Sequence, residues 1–224
     1  MDSLFIGIGK DIMNNDRMTV AILGCGVIGL SWVKAFLSND YKVNVWDPSP
    51  DVYERIESSD LKFNDDQLEV SSSPQAAVSG ASFIQESGPE RLEAKKELIS
   101  SIEAHVEPEC IFASSTSTIM PSDLQEGSIL ADRIVIGHPF NPPNLLPLVE
   151  VVGGDETSEH TLELTLQFYR SLGKQAIQLH TERKGHLANR MQAAQGRYQY
   201  LQSLRRSSEN YRQHRRSTGH QQNP

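Results

Sequence analysis

Glycine stands at residues 24, 26 and 29 in the stretch GCGVIG, directly after the uncharged, β-branched run MTVAIL (18–23) and directly before the helical pattern VIGLSWVKAFL (27–37). Eighteen residues beyond Gly29, Asp47 ends a second apolar run, KVNVWD (42–47). Each position answers a physical need. Gly24 permits a tight turn out of a strand, Gly26 lets a polar ligand approach the backbone, and Gly29 lets the helix pack closely on the sheet. N–H groups at the start of that helix, from Val27 and Ile28 onward, have no intrahelical partner and suit the oxygens of a diphosphate. A carboxylate at the end of the next strand suits ribose hydroxyls and repels a 2′-phosphate. No arginine follows in Pro48-Ser49-Pro50 to attract one. The pattern predicts a dinucleotide site that takes NAD rather than NADP. The alternative is a glycine-rich turn in a non-binding domain, with Asp47 as a solvated strand end. Cys25 occupies one of the variable positions and reads as a residue small enough to fit.

The elements that must hold this turn follow from the hydropathy pattern. Short apolar runs recur at QLEVS (67–71), SFIQE (82–86), CIFAS (110–114), RIVIG (133–137), LVEVV (148–152) and 175–179. Amphipathic stretches separate several of them, with helices expected at about 74–79, 90–105 and 157–172, the last closed by Gly173. Strand and helix taking turns in this way predicts βαβ units and a doubly wound, mostly parallel sheet, an α/β domain of Rossmann type over residues 18–183. A short extension, 1–17, precedes it. A helix is expected from about Gly185 through ANRMQAA, within a segment 184–195.

Residues 196–224 are a different kind of sequence. They hold six arginines against the single acid Glu209, a net of +5, which leaves 15 basic and 28 acidic residues and a net of −13 in 1–195. Five large apolar residues in 29 positions bury too little surface to offset ordering entropy, so the composition predicts a disordered, solvated tail. Binding of an anionic partner is its alternative reading. The acidic body offers no basic stripe, which argues against nucleic acid as the main ligand. Mean hydropathy is −0.43, and no apolar run approaches the ~18 residues of a membrane span. Two cysteines, 25 and 110, suggest neither a disulfide framework nor a metal knuckle. With no signal-peptide pattern at the start, the expectation is a cytoplasmic protein without a metal site.

Three later stretches carry a further signal: QESGPERLEAKKEL (85–98), FASSTSTIMPSDL (112–124) and GHPFNPPNLLPLVEVVGG (137–154). Together with the glycine turn they resemble the 3-hydroxyacyl-CoA dehydrogenase family over about residues 18–195. The SSTS, PSDL, HPxNP and LLPLVE wording is most similar to the branch acting on small hydroxy acids such as carnitine and gulonate. The resemblance implies a catalytic histidine and, twelve residues on, a glutamate, which fall on His138 and Glu150. It maps the family's active-site serine onto Ser117 and two asparagines onto Asn141 and Asn189. Glu90 and Lys95 match positions that contact NAD.

These implied roles are chemically coherent. Oxidising a secondary alcohol needs a base for the hydroxyl proton, and an imidazole near neutral pKa suits it. A carboxylate on the other ring nitrogen fixes the tautomer and favours the imidazolium. Hydroxyl and amide donors at Ser117 and the asparagines would stabilise negative charge on the substrate oxygen in the reverse direction. Each residue also has a plainer alternative: His138 and Glu150 as surface groups on strands, Ser117 and Asn141 as makers of local turn hydrogen bonds, Glu90 and Lys95 as an exposed pair on one helix.

Two departures from the family shape the expectation. Only 19 residues separate Asp47 from the strand at Gln67, where relatives carry a longer helical arm that holds coenzyme A in the acyl-CoA enzymes. The shortening favours a small free hydroxy acid and leaves one face of the sheet less covered. After residue 195, where the family continues into a helical domain that completes the pocket and makes the homodimer, this chain carries the arginine-rich segment. The leading expectation is NAD-dependent oxidation of a small 3-hydroxy acid. Its competitor is a catalytically silent NAD-binding protein that interacts with a full-length relative.

Overall fold

The computed structural model describes residues 18–59, 63–64 and 66–183. The extension 1–17, the helix expected from about Gly185, Asn189 and the segment 196–224 lie outside the described residues.

Strand β1 (Thr19–Leu23) shows how the sequence builds the core. Val20 and Ile22 point into one hydrophobic cluster, Ala21 and Leu23 into another, and all four are fully buried. A strand apolar on both faces belongs in the middle of a covered parallel sheet. It is joined there by β2 (Lys42–Trp46), β3 (Leu68–Val70), β4 (Phe83–Glu86), β5 (Ile111–Ser114), β6 (Ile134–Pro139), β7 (Leu148–Gly153) and β8 (Gln175–Leu179), in the order β3-β2-β1-β4-β5-β6-β7-β8. All neighbours pair in parallel except β6 and β7. The expected Rossmann-type, mostly parallel sheet is therefore present. Its order reverses between β1 and β4, and in such sheets ligands bind beyond the carboxyl ends of the strands at that reversal.

Helices cover both faces. On one side α1 (Val27–Leu37), α2 (Val52–Glu57) and α6 (Glu159–Ser171) contribute Trp32, Phe36, Val52, Ile56, Phe168 and Tyr169 to the first cluster. On the other, α3 (Pro74–Val78), α4 (Leu92–Ile102) and α5 (Pro121–Gln125) contribute Ala77, Val78, Ile99, Ile102 and Leu124 to the second. An aromatic stack ties the first side together: Phe83 and Phe168 have ring centroids 3.9 Å apart, and Trp32 lies 5.5 Å from Tyr169. Truncating a ring of this kind to alanine costs about 3–5 kcal/mol.

The structure differs from expectation at one connection. The stretch after Asp47 carries α2, whose Val52 and Ile56, four residues apart, are buried against the α1 side. That face is less bare than the short spacing implied, because one helical turn with two apolar positions suffices to cover it locally. No helix among the described residues is long and apolar enough to cross a membrane.

Candidate active site

The turn between β1 and α1 uses its three glycines for three different reasons. Gly24 adopts φ +92°, and a Cβ there would fall 2.7 Å from the Gly88 nitrogen. A Cβ on Gly29 would meet the Gly24 carbonyl oxygen at 1.9 Å. Gly26 has no atom within 4 Å of its would-be Cβ, so the space above it is open to a ligand. The first helical bond runs from the Leu30 N–H to the Gly26 carbonyl at 2.8 Å, which places the Val27 and Ile28 amides ahead of the ladder. No side chain caps this end and no acid lies in its first turn. An uncapped helix start facing open space fits a diphosphate in position and charge.

Asp47 is fastened to that turn. Its Oδ2 accepts the Cys25 N–H at 2.7 Å and its Oδ1 accepts the Ser49 N–H at 2.9 Å. Arg55, which sequence reading passed over, donates to Asp47 Oδ1 at 3.3 Å and to the Cys25 carbonyl at 3.1 Å. Arg55 stands eight residues beyond Asp47, on the six-residue α2, and so outside the three residues that follow the acid. Cys25 is itself buried; burial pushes its thiol up to about 11, with the Arg55 charge acting against that shift and Asp47 with it.

Glu90 and Lys95 are not an exposed pair on one helix. Glu90 precedes α4, and Lys95 is 2% exposed, its ammonium donating to Glu86 Oε1 at 2.6 Å, Glu86 Oε2 at 2.7 Å and the Gly88 carbonyl at 3.3 Å. The Ser114 hydroxyl and the Gly88 N–H donate to the same Glu86 carboxylate, so β4, β5 and α4 meet at one satisfied buried charge. Glu90 instead organises the segment after β5. Its Oε1 accepts the hydroxyls of Thr116 (2.6 Å) and Thr118 (2.8 Å) and the N–H groups of Ser117 (2.9 Å) and Thr118 (2.8 Å). Burial pulls the Glu90 carboxyl upward, but the Thr116 and Thr118 hydrogen bonds and the nearby Lys95 charge outweigh it and hold the group below the usual carboxylate range.

A group with a depressed folded-state pKa adds stability above its unfolded value, near 4.5, and loses that contribution as pH falls through the folded value. Glu90→Gln should therefore lower Tm at neutral pH, with the gap to the parent closing below about pH 4.5. Thermal melts across that range provide the check, and an equal gap at acid and neutral pH would show that the charge is not what matters.

Ser117, His138 and Glu150 are brought together. In the antiparallel β6–β7 pair His138 lies directly opposite Glu150, so the twelve-residue separation in sequence becomes one cross-strand step. His138 Nδ1 is 2.9 Å from Glu150 Oε2, and His138 Nε2 is 3.1 Å from the Ser117 hydroxyl. Glu150 is fully buried and His138 is 6% exposed. The reading of either as a loose surface group therefore fails. Gly137 beside the histidine is required by packing: a Cβ there would fall 2.0 Å from the Tyr169 hydroxyl, which donates to Gln85 at 2.6 Å.

Asn141 lies exposed in the β6–β7 connection and precedes a cis bond to Pro142. Two residues missed by sequence reading pin that connection: the Ser31 hydroxyl donates to Asn144 Oδ1 at 2.9 Å, and the Lys174 ammonium donates to the Pro143 and Leu146 carbonyls. Burial lowers the Lys174 pKa.

Residues 19–182 match the family model described as 3-hydroxyacyl-CoA dehydrogenase, NAD binding domain. L-carnitine dehydrogenase of Streptomyces coelicolor is 40% identical over 188 residues, which cover 78% of this chain and 59% of that protein. A 3-hydroxyacyl-CoA dehydrogenase of Gibberella moniliformis is 41% identical over 195 residues, covering 81% of this chain and 61% of that one. Among solved structures, an NAD+-dependent dismutase, 5-formyl-3-hydroxy-2-methylpyridine 4-carboxylic acid 5-dehydrogenase, superposes with a TM-score of 0.74 at 25% identity, over 81% of this chain and 63% of its own. The chain thus spans 59% and 61% of the length of these two curated relatives. A match of that extent, on a sheet whose reversal point carries the turn a dinucleotide needs, makes this chain a member of the 3-hydroxyacyl-CoA dehydrogenase family through its NAD-binding domain.

Proposed function

We propose that the chain oxidises the 3-hydroxyl of a small hydroxy acid, carnitine- or gulonate-like, to the 3-oxo acid with NAD+. One observation carries the reading: the hydrogen-bonded line Ser117–His138–Glu150 lies at the carboxyl ends of β5 and β6, on the same edge of the sheet as the glycine turn.

NAD+, held by the glycine turn and Asp47, would supply the acceptor for the hydride of the alcohol carbon. The chain's own residues handle the proton. A carboxylate at Glu150 can only accept a hydrogen bond, so His138 Nδ1 carries the proton between them and Nε2 presents its lone pair. Nε2 takes the substrate hydroxyl proton as the carbon–oxygen double bond forms, and Glu150 stabilises the resulting imidazolium. The Ser117 hydroxyl, already within 3.1 Å of Nε2, holds the substrate oxygen in line and donates to it in the ketone-reducing direction. Glu90 fixes the Ser117 backbone and so sets where that hydroxyl stands. In this reading Gly24, Gly26, Val27, Ile28, Gly29, Asp47, Glu90, Lys95 and Asn141 serve the cofactor, and Asn189 the substrate.

The small-acid reading is supported by the brevity of the connection from Asp47 to β3, where the only helix among the described residues is the six-residue α2. The experiment is an NADH titration followed by a screen with L-carnitine, L-gulonate, 3-hydroxybutyrate and a 3-hydroxyacyl-CoA. The expected outcome is NADH formation with a free acid exceeding that with the thioester. Binding of NADH without turnover on any of them would leave the silent binder in its place.

A further inference from the structure

The outer end of the glycine turn holds a guanidinium that the reaction does not use. Arg55 on α2 donates from one terminal nitrogen to the Cys25 carbonyl at 3.1 Å and from the other to Asp47 Oδ1 at 3.3 Å. Its Nε lies 3.4 Å from Asp51 Oδ1, yet is buried without a hydrogen bond. Two of its five donors are committed, and the side chain is 34% exposed beside an Asp47 that is 12% exposed. A cation with spare donors therefore borders the carboxylate that the NAD reading assigns to the adenosine ribose.

We propose that Arg55 is the cationic half of the element that selects between NAD and NADP: Asp47 excludes a 2′-phosphate, and Arg55 would seat one once the Asp47 charge is gone. The inference rests on the reading of the glycine turn as a dinucleotide site. A 2′-phosphate would extend from the same ribose hydroxyl that Asp47 accepts, so it must come within reach of whatever touches Asp47 Oδ1. In the native chain that neighbourhood holds one guanidinium and two carboxylates, Asp47 and Asp51, and its net negative charge favours an uncharged ribose. Remove the Asp47 charge and the balance changes. Asp51, 54% exposed and held by the Ser49 hydroxyl, is screened by water, while the Arg55 fork can bind two phosphate oxygens at once. An aspartate with no cation behind it would, when neutralised, merely stop repelling phosphate.

The test uses the full chain and fluorescence titrations with NADH and NADPH, which need no turnover. The native protein should prefer NADH. Asp47→Asn, which keeps the side-chain shape, should shift the NADPH:NADH affinity ratio toward NADPH by about tenfold or more. Adding Arg55→Met should reverse most of that gain. With NADH affinity retained, a ratio that Asp47→Asn does not raise, or one that Arg55→Met leaves untouched in the Asp47→Asn background, overturns the proposal. Because Asp47 also accepts the Cys25 and Ser49 N–H groups, Asp47→Asn could loosen the turn and weaken both nucleotides together. In that event Arg55→Met alone decides: its NADPH:NADH ratio should fall below the native one, and an unchanged ratio sinks the idea. Failure of the native chain to bind NADH would instead remove the reading of the turn itself, and this inference with it.

Discussion

His138→Gln should lower kcat by roughly two to four orders of magnitude while NADH continues to bind. The amide that replaces the imidazole can still donate toward Glu150, which limits the penalty of leaving a fully buried carboxylate without a partner. What the amide lacks is a basic lone pair where Nε2 now faces the Ser117 hydroxyl. The loss should therefore fall on turnover and spare the nucleotide, since the glycine turn and Asp47 belong to β1, α1 and β2 rather than to the hairpin that carries the histidine. Steady-state rates with the best acid from the screen, beside an NADH titration of the same sample, read the two quantities separately. Native-like turnover in this variant would show that another group takes the proton.

Gly26→Val should weaken NADH binding by roughly 10- to 100-fold with little change in Tm. The backbone at Gly26 has φ −68°, a value any residue adopts, and the added Cβ meets nothing within 4 Å. Folding therefore has no reason to suffer. The methyls would fill the space left for a diphosphate over the Val27 and Ile28 amides. Gly29→Val supplies the contrast, because its Cβ would strike the Gly24 carbonyl oxygen at 1.9 Å and should cost the fold itself. A Gly26→Val protein that melts normally and binds NADH as the parent does would mean that the dinucleotide lies elsewhere.

Much of this architecture is visible in the order of residues, for identifiable reasons. The β1 turn is local: strand, three glycines and helix follow one another within about twenty positions, although the clash that excludes a side chain at Gly24 comes from Gly88, far along the chain. Ser117, His138 and Glu150, the proposed catalytic line, are legible only through family wording, since nothing in their spacing says that β7 runs against β6 and sets residue 150 across from 138. Arg55 went unnoticed for a related reason. Its partner choice depends on where α2 folds back, and hydropathy over 48–66 carries too little periodicity to specify a one-turn helix. The burial of Lys95 is equally hidden in the sequence. A charged residue in an amphipathic stretch is ordinarily solvated, and only the convergence of Glu86, Ser114 and Gly88 on one spot makes its burial tolerable.

The hairpin that carries the histidine and the glutamate has a consequence for how such a domain can diversify. The spacing of the two side chains is set by ladder hydrogen bonds between strands, and not by the eight residues, 140–147, that join them. Insertions, deletions or new side chains in that connection can therefore leave the separation of His138 and Glu150 untouched. On the proposed function, the proton-handling couple would keep its geometry while the connection beside it drifts.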